Sequence, residues 1–404
     1  MGALDIFLGV RNVIILTILL FFAQSFSEDF SAVRSEEHFN SSLLMQTRNS
    51  EYSAASSDEH SEQNGEEKND LFEFKNFMLL PAMSYTEETG FMVGGVFVKF
   101  MGAEQHYDLL AMVSFKKQWL IHNNFAGKTE DGHFDWLIGF DVADWTTRYF
   151  RRGNDIDTGT YTKFTLKNAR IPLTLNSDYF LPKSWGGLFS YGVELDGEAI
   201  TFDYGENFTE IEPKKERAAF RVGIGYNLTY DSREKNDWTR RGALVQWRNI
   251  YFKPSGRGNP QEFTWRNIIT AVYFPIPFLP EGAIALSSYL EDFDGAVPFD
   301  RLAQPDGLGQ MRGLKKGWLA DKSSWVLQSE IRTHLFWRFA GTLFYEAGKV
   351  GENLHSVWKN DFHSSIGIGG RFLVNKDLKT HIRGDLSLID RKYYGMAITL
   401  REAF

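Results

Sequence analysis

The chain has 404 residues, no cysteine, 15% aromatic residues and a formal net charge of −8 at pH 7. Its mean hydropathy of −0.31 is too polar for a protein built of many membrane-spanning helices. The lack of cysteine excludes disulfides, a thiol nucleophile and cysteine metal sites, and an acidic chain without a basic stripe argues against nucleic-acid binding.

The first segment with a clear pattern is the apolar run "VIILTILLFFA" over Val13–Ala23. It follows Arg11 and precedes the small residues Ser25 and Ser27, which is the layout of a secretory signal peptide. A single membrane anchor is the alternative, but the run is short for a bilayer-spanning helix. We therefore predict a signal peptide over residues 1–27.

The next segment, residues 28–70, is rich in Ser, Glu and Asn and poor in apolar residues. Such a composition buries too little apolar surface to offset the entropy of ordering. The segment is predicted to be a disordered, acidic, serine-rich tether.

From residue 71 onward, apolar and polar residues alternate with a period of two, and helical patterns are nearly absent. Runs of this kind with nine or more residues are long enough to cross a bilayer as tilted strands. The pattern predicts sixteen strands: 75–84, 89–101, 106–116, 118–127, 132–142, 159–172, 184–197, 214–231, 239–252, 262–276, 282–293, 323–337, 339–349, 363–375, 379–389 and 392–402.

The two faces of these strands differ in character. In "FRVGIGYNLTY", Phe220, Ile224 and Leu228 share one face, whereas Arg221 and Asn227 share the other. A soluble β-sandwich also alternates. However, aromatic residues near the strand ends and a polar, glycine-rich second face fit a barrel with a lipid-facing exterior and a wet lumen. The predicted fold is an all-β, transmembrane antiparallel β-barrel of about sixteen strands over residues 71–404.

The long segment between the eleventh and twelfth strands resembles a known family. "VPFDRLAQPDGLGQMRGLKKGWLADKSSWVLQSEIR" resembles the sixth-loop signature of the BamA/TamA-like outer-membrane surface-antigen superfamily. Five further stretches agree with that resemblance in order: "LLPAMSYTEETGFMVGG", "RYFRRGND", "IGYNLTYDSREKNDWTRRG", "LFYEAGKV" with "SIGIGGRF", and the final Phe404. The resemblance covers residues 72–404 and implies a sixth extracellular loop folded into the lumen.

The chain departs from the family pattern at several positions. Leu314 stands where an aromatic residue usually follows Arg-Gly, Glu346 stands where Asp is commoner, and Glu402 occupies a position near the end that is usually apolar. Members that assemble or translocate proteins carry POTRA domains, and residues 28–70 have neither the length nor the pattern of one.

Strand alternation also predicts where Arg312 goes. Glu330 and Glu346 fall on the lumen face of adjacent strands, together with Gly348. Two carboxylates on a wall of low dielectric repel each other unless a cation lies between them. We therefore expect the loop to fold inward so that Arg312 binds both glutamates, with Gly313 allowing a tight turn. The alternative is a solvated loop arginine.

The remaining candidate sites are fewer. Asp231 and Arg233 are expected to pair at a strand end as a structural cap, and the resemblance implies that Phe404 is a C-terminal insertion signal. We find no metal-ligand spacing, no cofactor motif and no catalytic constellation, so no enzyme is expected.

The resemblance implies a place in the bacterial outer membrane, with residues 28–70 in the periplasm. It also implies a role in the insertion or translocation of proteins, or of lipids. The partners would be outer-membrane lipid and lipopolysaccharide, with unfolded outer-membrane proteins or a periplasmic protein as further candidates. The alternative is a plugged pore or surface antigen without assembly activity.

Overall fold

The computed structural model describes residues 73–404 except 75–76, 87–89, 102–104, 157–158, 160, 183–187, 205–217, 235, 258–260, 306–309, 376–378 and 401. The predicted signal peptide and the predicted tether lie outside the described residues. No helix within the described part of the chain has the length and apolarity needed to span a bilayer.

The chain forms one antiparallel sheet whose strands pair in sequence order, and the sheet order places the last strand beside β2. The structure is therefore a barrel of sixteen long strands preceded by a two-residue strand. The strands are β1 (Glu73–Phe74), β2 (Phe77–Thr86), β3 (Gly90–Phe100), β4 (His106–Ser114), β5 (Trp119–Lys128), β6 (Phe134–Tyr149), β7 (Thr162–Ser177), β8 (Phe189–Tyr204), β9 (Ala218–Asp231), β10 (Gly242–Arg257), β11 (Phe263–Ile276), β12 (Gly282–Gly295), β13 (Ser323–Phe336), β14 (Phe339–Gly351), β15 (His363–Asn375), β16 (Thr380–Ile389) and β17 (Tyr393–Leu400).

The two faces of the sheet separate as the alternation predicts. On β9, Phe220, Ile224 and Leu228 are between 46% and 60% exposed, whereas Arg221 and Asn227 are buried. The outward face of the barrel is thus apolar and the inward face is polar. Buried polar groups need hydrogen-bonding partners. The inward groups therefore bond to one another and to the loop that fills the lumen.

Several strands are longer than predicted, and β6 exceeds its predicted length by the most. The alternation predicts a strand that ends at residue 142, but β6 continues to Tyr149. Likewise β8 continues to Tyr204, past its predicted end at residue 197. In the extension of β6, Trp145 and Tyr149 point inward and are buried. The prediction stopped early because it required apolar residues on the outward face, and here the apolar residues face the lumen.

The long loop between β12 and β13 spans residues 296–322, and its described parts, residues 296–305 and 310–322, fold into the barrel, as predicted. It begins with a 3₁₀ turn at Phe299–Arg301. We call the end of the barrel that carries this loop the loop end, and the opposite end the turn end. At the loop end, the connection between β14 and β15 contains a short helix, α1 (Leu354–Lys359), capped by Asn353.

Candidate functional site

The long loop is attached to the lumen wall first at β6–β9. Phe299 packs against the rings of Tyr149, Phe164 and Phe202, with ring centroids 4.9 to 5.5 Å apart. Beside this aromatic cluster, two ion pairs hold the 3₁₀ turn to the wall. Asp300 accepts two hydrogen bonds from Arg221, at 2.6 and 2.9 Å, and Arg301 donates to Glu198 at 2.8 Å.

The second attachment lies at β13 and β14 and is made by Arg312. Its Nη1 donates to Glu330 Oε2 at 2.5 Å, and its Nε donates to Glu346 Oε1 at 2.6 Å. Its main-chain N–H donates to the other oxygen of Glu346, at 2.6 Å. The guanidinium carbon lies 3.6 Å from the ring centroid of Phe344, and all these side chains are buried. The structure thus brings Arg312 together with the two glutamates that the sequence analysis pairs with it.

Arg312 belongs to a larger group of buried charges whose other members lie on β13–β16 and just after β17. Arg371 lies 2.7 Å from both Asp385 and Glu402, and Asp385 lies 3.6 Å from Arg312. The full set contains four cations and four anions: Arg312, Arg332, Arg371, Arg383, Glu330, Glu346, Asp385 and Glu402. The set is neutral, which is how so many charges are tolerated away from water.

Five members of this group were missed from the sequence: Arg332, Arg371, Arg383, Asp385 and Glu402. The alternation already places Arg371 on the inward face of its strand and Arg332 beside Glu330. What the sequence lacks is the register that brings β15 and β16 next to Arg312. The departure at Glu402 has a structural reason, since its carboxylate binds Arg371 at 2.7 Å.

Gly313 contacts the last strand of the barrel. Its φ angle is 82°, in the left-handed region, and a Cβ at this position would lie 2.8 Å from the Cα of Gly395. The loop backbone and β17 thus meet through two glycines, because neither position has room for a side chain. The sequence analysis did not predict that Gly395 meets Gly313.

Further contacts hold the tip of the loop. Gln328 donates to the main-chain oxygen of Gln310 at 2.7 Å, and Ser365 donates to that of Arg312 at 3.2 Å. Gly348 lies on the lumen face as predicted, and a Cβ there would come within 3.1 Å of Met311 Cγ. Strands β13, β14, β15 and β17 therefore all contact the segment Gln310–Gly313.

Asp231 and Arg233 lie at the turn end, far along the barrel from the loop. Arg233 donates to Asp231 through Nε at 3.0 Å and Nη2 at 2.9 Å, which is the local pairing expected of a cap. Burial alone would lower the pKa of Arg233, but the adjacent Asp231 carboxylate outweighs it and the pKa is raised. The guanidinium therefore remains charged.

Phe404 also lies at the turn end. β17 ends at Leu400, and the Phe404 ring turns to the lumen side, 6.5 Å from the ring of Tyr273. Arg332 Nη2 donates to the main-chain oxygen of Phe404 at 3.3 Å. In the folded barrel this residue packs inside, and its role as an insertion signal stays a prediction.

Within the described ranges, no three histidine or carboxylate side chains are grouped closely enough to hold a metal ion. The inward residues form ion pairs and loop contacts instead. The arrangement holds a charged loop in a fixed position inside the barrel through two separate attachments, one at the 3₁₀ turn and one at Arg312.

Solved structures share this fold. The chain superposes on BamA from Haemophilus ducreyi lacking POTRA domains 1–3 with a TM-score of 0.52 and 14% identity, over 80% of this chain and 68% of that one. It superposes on CdiB from Acinetobacter baumannii (TM-score 0.52, 12% identity, 80% of this chain, 59% of that one) and on CdiB from Escherichia coli (0.54, 11%, 81%, 62%).

The chain spans about three fifths of the two CdiB chains. No family model matches its sequence. No curated protein matches it either. The comparisons therefore establish the fold, which is that of the BamA and CdiB barrels.

Proposed function

We propose that this chain is a bacterial outer-membrane barrel that assists the insertion or translocation of proteins, or of lipids, at that membrane. The apolar outward face, with side chains such as Ile224 and Ile368 about 60% exposed, supports a place in a bilayer. The shared fold with BamA and CdiB barrels supports the kind of barrel. We propose outer-membrane lipid, including lipopolysaccharide, as its surroundings, and assign it no catalytic reaction.

The observation that carries the proposal is the docked loop. Arg312 ties the loop tip to β13 and β14, and Gly313 rests against Gly395 of β17, the last strand. The loop thus lies against the region where β17 meets β2. In β2, Pro81 cannot donate a ladder hydrogen bond. We propose that this seam loosens and that an incoming strand pairs with the edge it exposes.

A reconstitution assay tests this proposal directly. Vesicles containing the purified barrel are mixed with a urea-unfolded outer-membrane protein, and its folded fraction is followed by heat-modifiable migration on gels. The native barrel is expected to accelerate folding over empty vesicles, and Arg312→Ala is expected to lose much of the acceleration. Equal rates with native barrel and empty vesicles would refute the insertion role.

A plugged pore is the second candidate, and the filled lumen favours it. Phe299 and Arg312 attach the loop to opposite parts of the wall, so the loop crosses the interior. Single-channel currents of the native barrel and of a variant lacking residues 307–321 distinguish an internal plug from an external loop. Small, flickering native currents that become large and steady after the deletion are expected for a plug. Large steady currents from both would place the loop outside the conduction path.

A further inference from the structure

The turn between β9 and β10 is folded into the turn end of the barrel. We call its described residues, 232–234 and 236–241, the mouth turn. Trp238 is 2% exposed and donates its Nε1–H to the main-chain oxygen of Glu281 at 2.9 Å. Its ring centroid lies 4.9 Å from that of His381. The hydroxyl of Thr380 donates a hydrogen bond to the carboxylate of Asp237.

These contacts cross the mouth of the barrel. The mouth turn leaves the sheet at β9 and β10, whereas Thr380 and His381 lie on β16, and β11–β15 separate the two in the sheet. Lys379 and Glu281 narrow the same opening with an ion pair of 2.8 Å between the β15–β16 and β11–β12 turns. The opening at the turn end is thus bridged by side chains from opposite parts of the wall.

A turn that only connects two strands would not need to be as long as the mouth turn or to bury a tryptophan. The neighbouring turn between β13 and β14 joins antiparallel strands with two residues, Trp337 and Arg338, and leaves Trp337 64% exposed. Ordering a longer segment and burying Trp238 costs conformational entropy. The contacts that offset this cost lie across the opening, which is what a closure requires and a connector does not.

The mouth turn and the loop tip are joined through two side chains of β13. Glu330 binds Arg312 with one carboxylate oxygen and lies 3.0 Å from Arg332 Nε with the other. The guanidinium carbon of Arg332 lies 5.7 Å from the Trp238 ring centroid and 5.8 Å from that of Phe404. Arg312, Glu330, Arg332 and Trp238 therefore form a continuous chain of contacts along the lumen.

We propose that the lumen has two closures in series, the docked loop and the mouth turn, and that the Arg312–Glu330–Arg332 chain couples them. When Arg312 leaves Glu330, the oxygen that it held keeps Arg371 at 3.6 Å and becomes open to Arg332 as well. Binding by both oxygens of Glu330 draws Arg332 away from the Trp238 ring and loosens the mouth turn. The inference does not depend on whether the barrel inserts clients or is a pore.

A reversible disulfide tests the second closure in a chain that has no cysteine of its own. Asp237 and Thr380 are both replaced by cysteine in the Arg312→Ala background, in which the loop is expected to be released. Single-channel currents are then measured before oxidation, after oxidation and after added reductant, with disulfide formation followed on gels. We expect a several-fold fall in mean current on oxidation and full recovery on reduction.

The same barrel serves as its own control, because oxidation and reduction act on one folded molecule. Unchanged current with the disulfide fully formed would overturn the proposal that loss of Arg312 opens a second closure at the mouth turn. Failure of the client-folding assay would leave this result untouched, so the two proposals can fail separately.

Coupling is tested by the labelling rate of a single cysteine at Thr239, which is buried beside Trp238. A maleimide reagent is expected to label Thr239→Cys several-fold faster when Arg312→Ala is added, because Glu330 then pulls on Arg332. It is expected to label no faster when Arg312→Ala and Glu330→Gln are added together, or when Lys315→Ala is added alone. Heat-modifiable migration of each variant confirms a folded barrel. Equal labelling rates in all four proteins would overturn the coupling.

Discussion

Arg312 and Glu346 are joined twice: the main-chain N–H and the Nε–H of Arg312 donate to the two oxygens of the same carboxylate, each at 2.6 Å. A side-chain contact alone would hold only the guanidinium. Because the backbone of Arg312 is also bound, the position of the loop chain itself is set by β14. Lysine, whose ammonium is a point charge, cannot reproduce the in-plane geometry of the Nε–H and Nη1–H bonds.

Arg312→Ala is expected to leave Glu330 and Glu346 buried with one cation fewer, at a cost of about 3–5 kcal/mol in the docking of the loop. Limited proteolysis of the purified barrel should then cut the loop much faster than in the native protein. Lys315→Ala, in the same loop and only half-buried, is the matched control. Equal cleavage rates in the two variants would contradict the attachment of the loop by Arg312.

Gly313→Ala and Gly395→Ala are each expected to destabilise the barrel by about 1–3 kcal/mol, because an added Cβ meets the facing glycine backbone and neither strand nor loop can yield. The measurement is the temperature at which heat-modifiable migration is lost. Gly370→Ala is the control, since no heavy atom lies within 4 Å of a Cβ at that position. Similar temperatures for all three variants would show that the glycine contact is loose.

Phe299→Ala tests the first attachment of the loop. Removing a buried phenylalanine from its aromatic cluster typically costs about 3–5 kcal/mol, so the variant is expected to unfold at lower denaturant concentration. Phe278→Ala, which removes a ring that is 84% exposed, should unfold as the native barrel does. If both variants unfold at the native midpoint, the 3₁₀ turn is held by its ion pairs and the ring packing contributes little.

Phe404→Ala separates a sorting role from a packing role. The residue is expected to act as an insertion signal, so the variant should reach the outer membrane in a smaller fraction, measured by membrane fractionation after expression. Tyr273→Ala removes the facing ring and leaves Phe404 in place. A loss of equal size in both variants would assign the effect to the contact between Phe404 and Tyr273. It would reject the role of Phe404 as an insertion signal.

Particular residues show how much of the fold and of the site could be predicted from the sequence alone. The two-residue period identified the strands, and β15 was predicted at its observed bounds, because alternation is a local property of an extended chain with one apolar side. The same two-residue period placed Glu330, Glu346 and Gly348 on the inward face. The pair Asp231 and Arg233 was also predictable, since only one residue separates them.

Only the tertiary structure decided which inward residues meet. Asp385 and Arg371 reach Arg312, Gly395 faces Gly313, and Trp238 crosses to His381, yet nothing near these residues in the chain encodes those partners. Such contacts depend on the circumference of the closed sheet, the register of its strands and the path of a loop inside it. Those quantities are set by all the strands together, whereas strand alternation is set residue by residue.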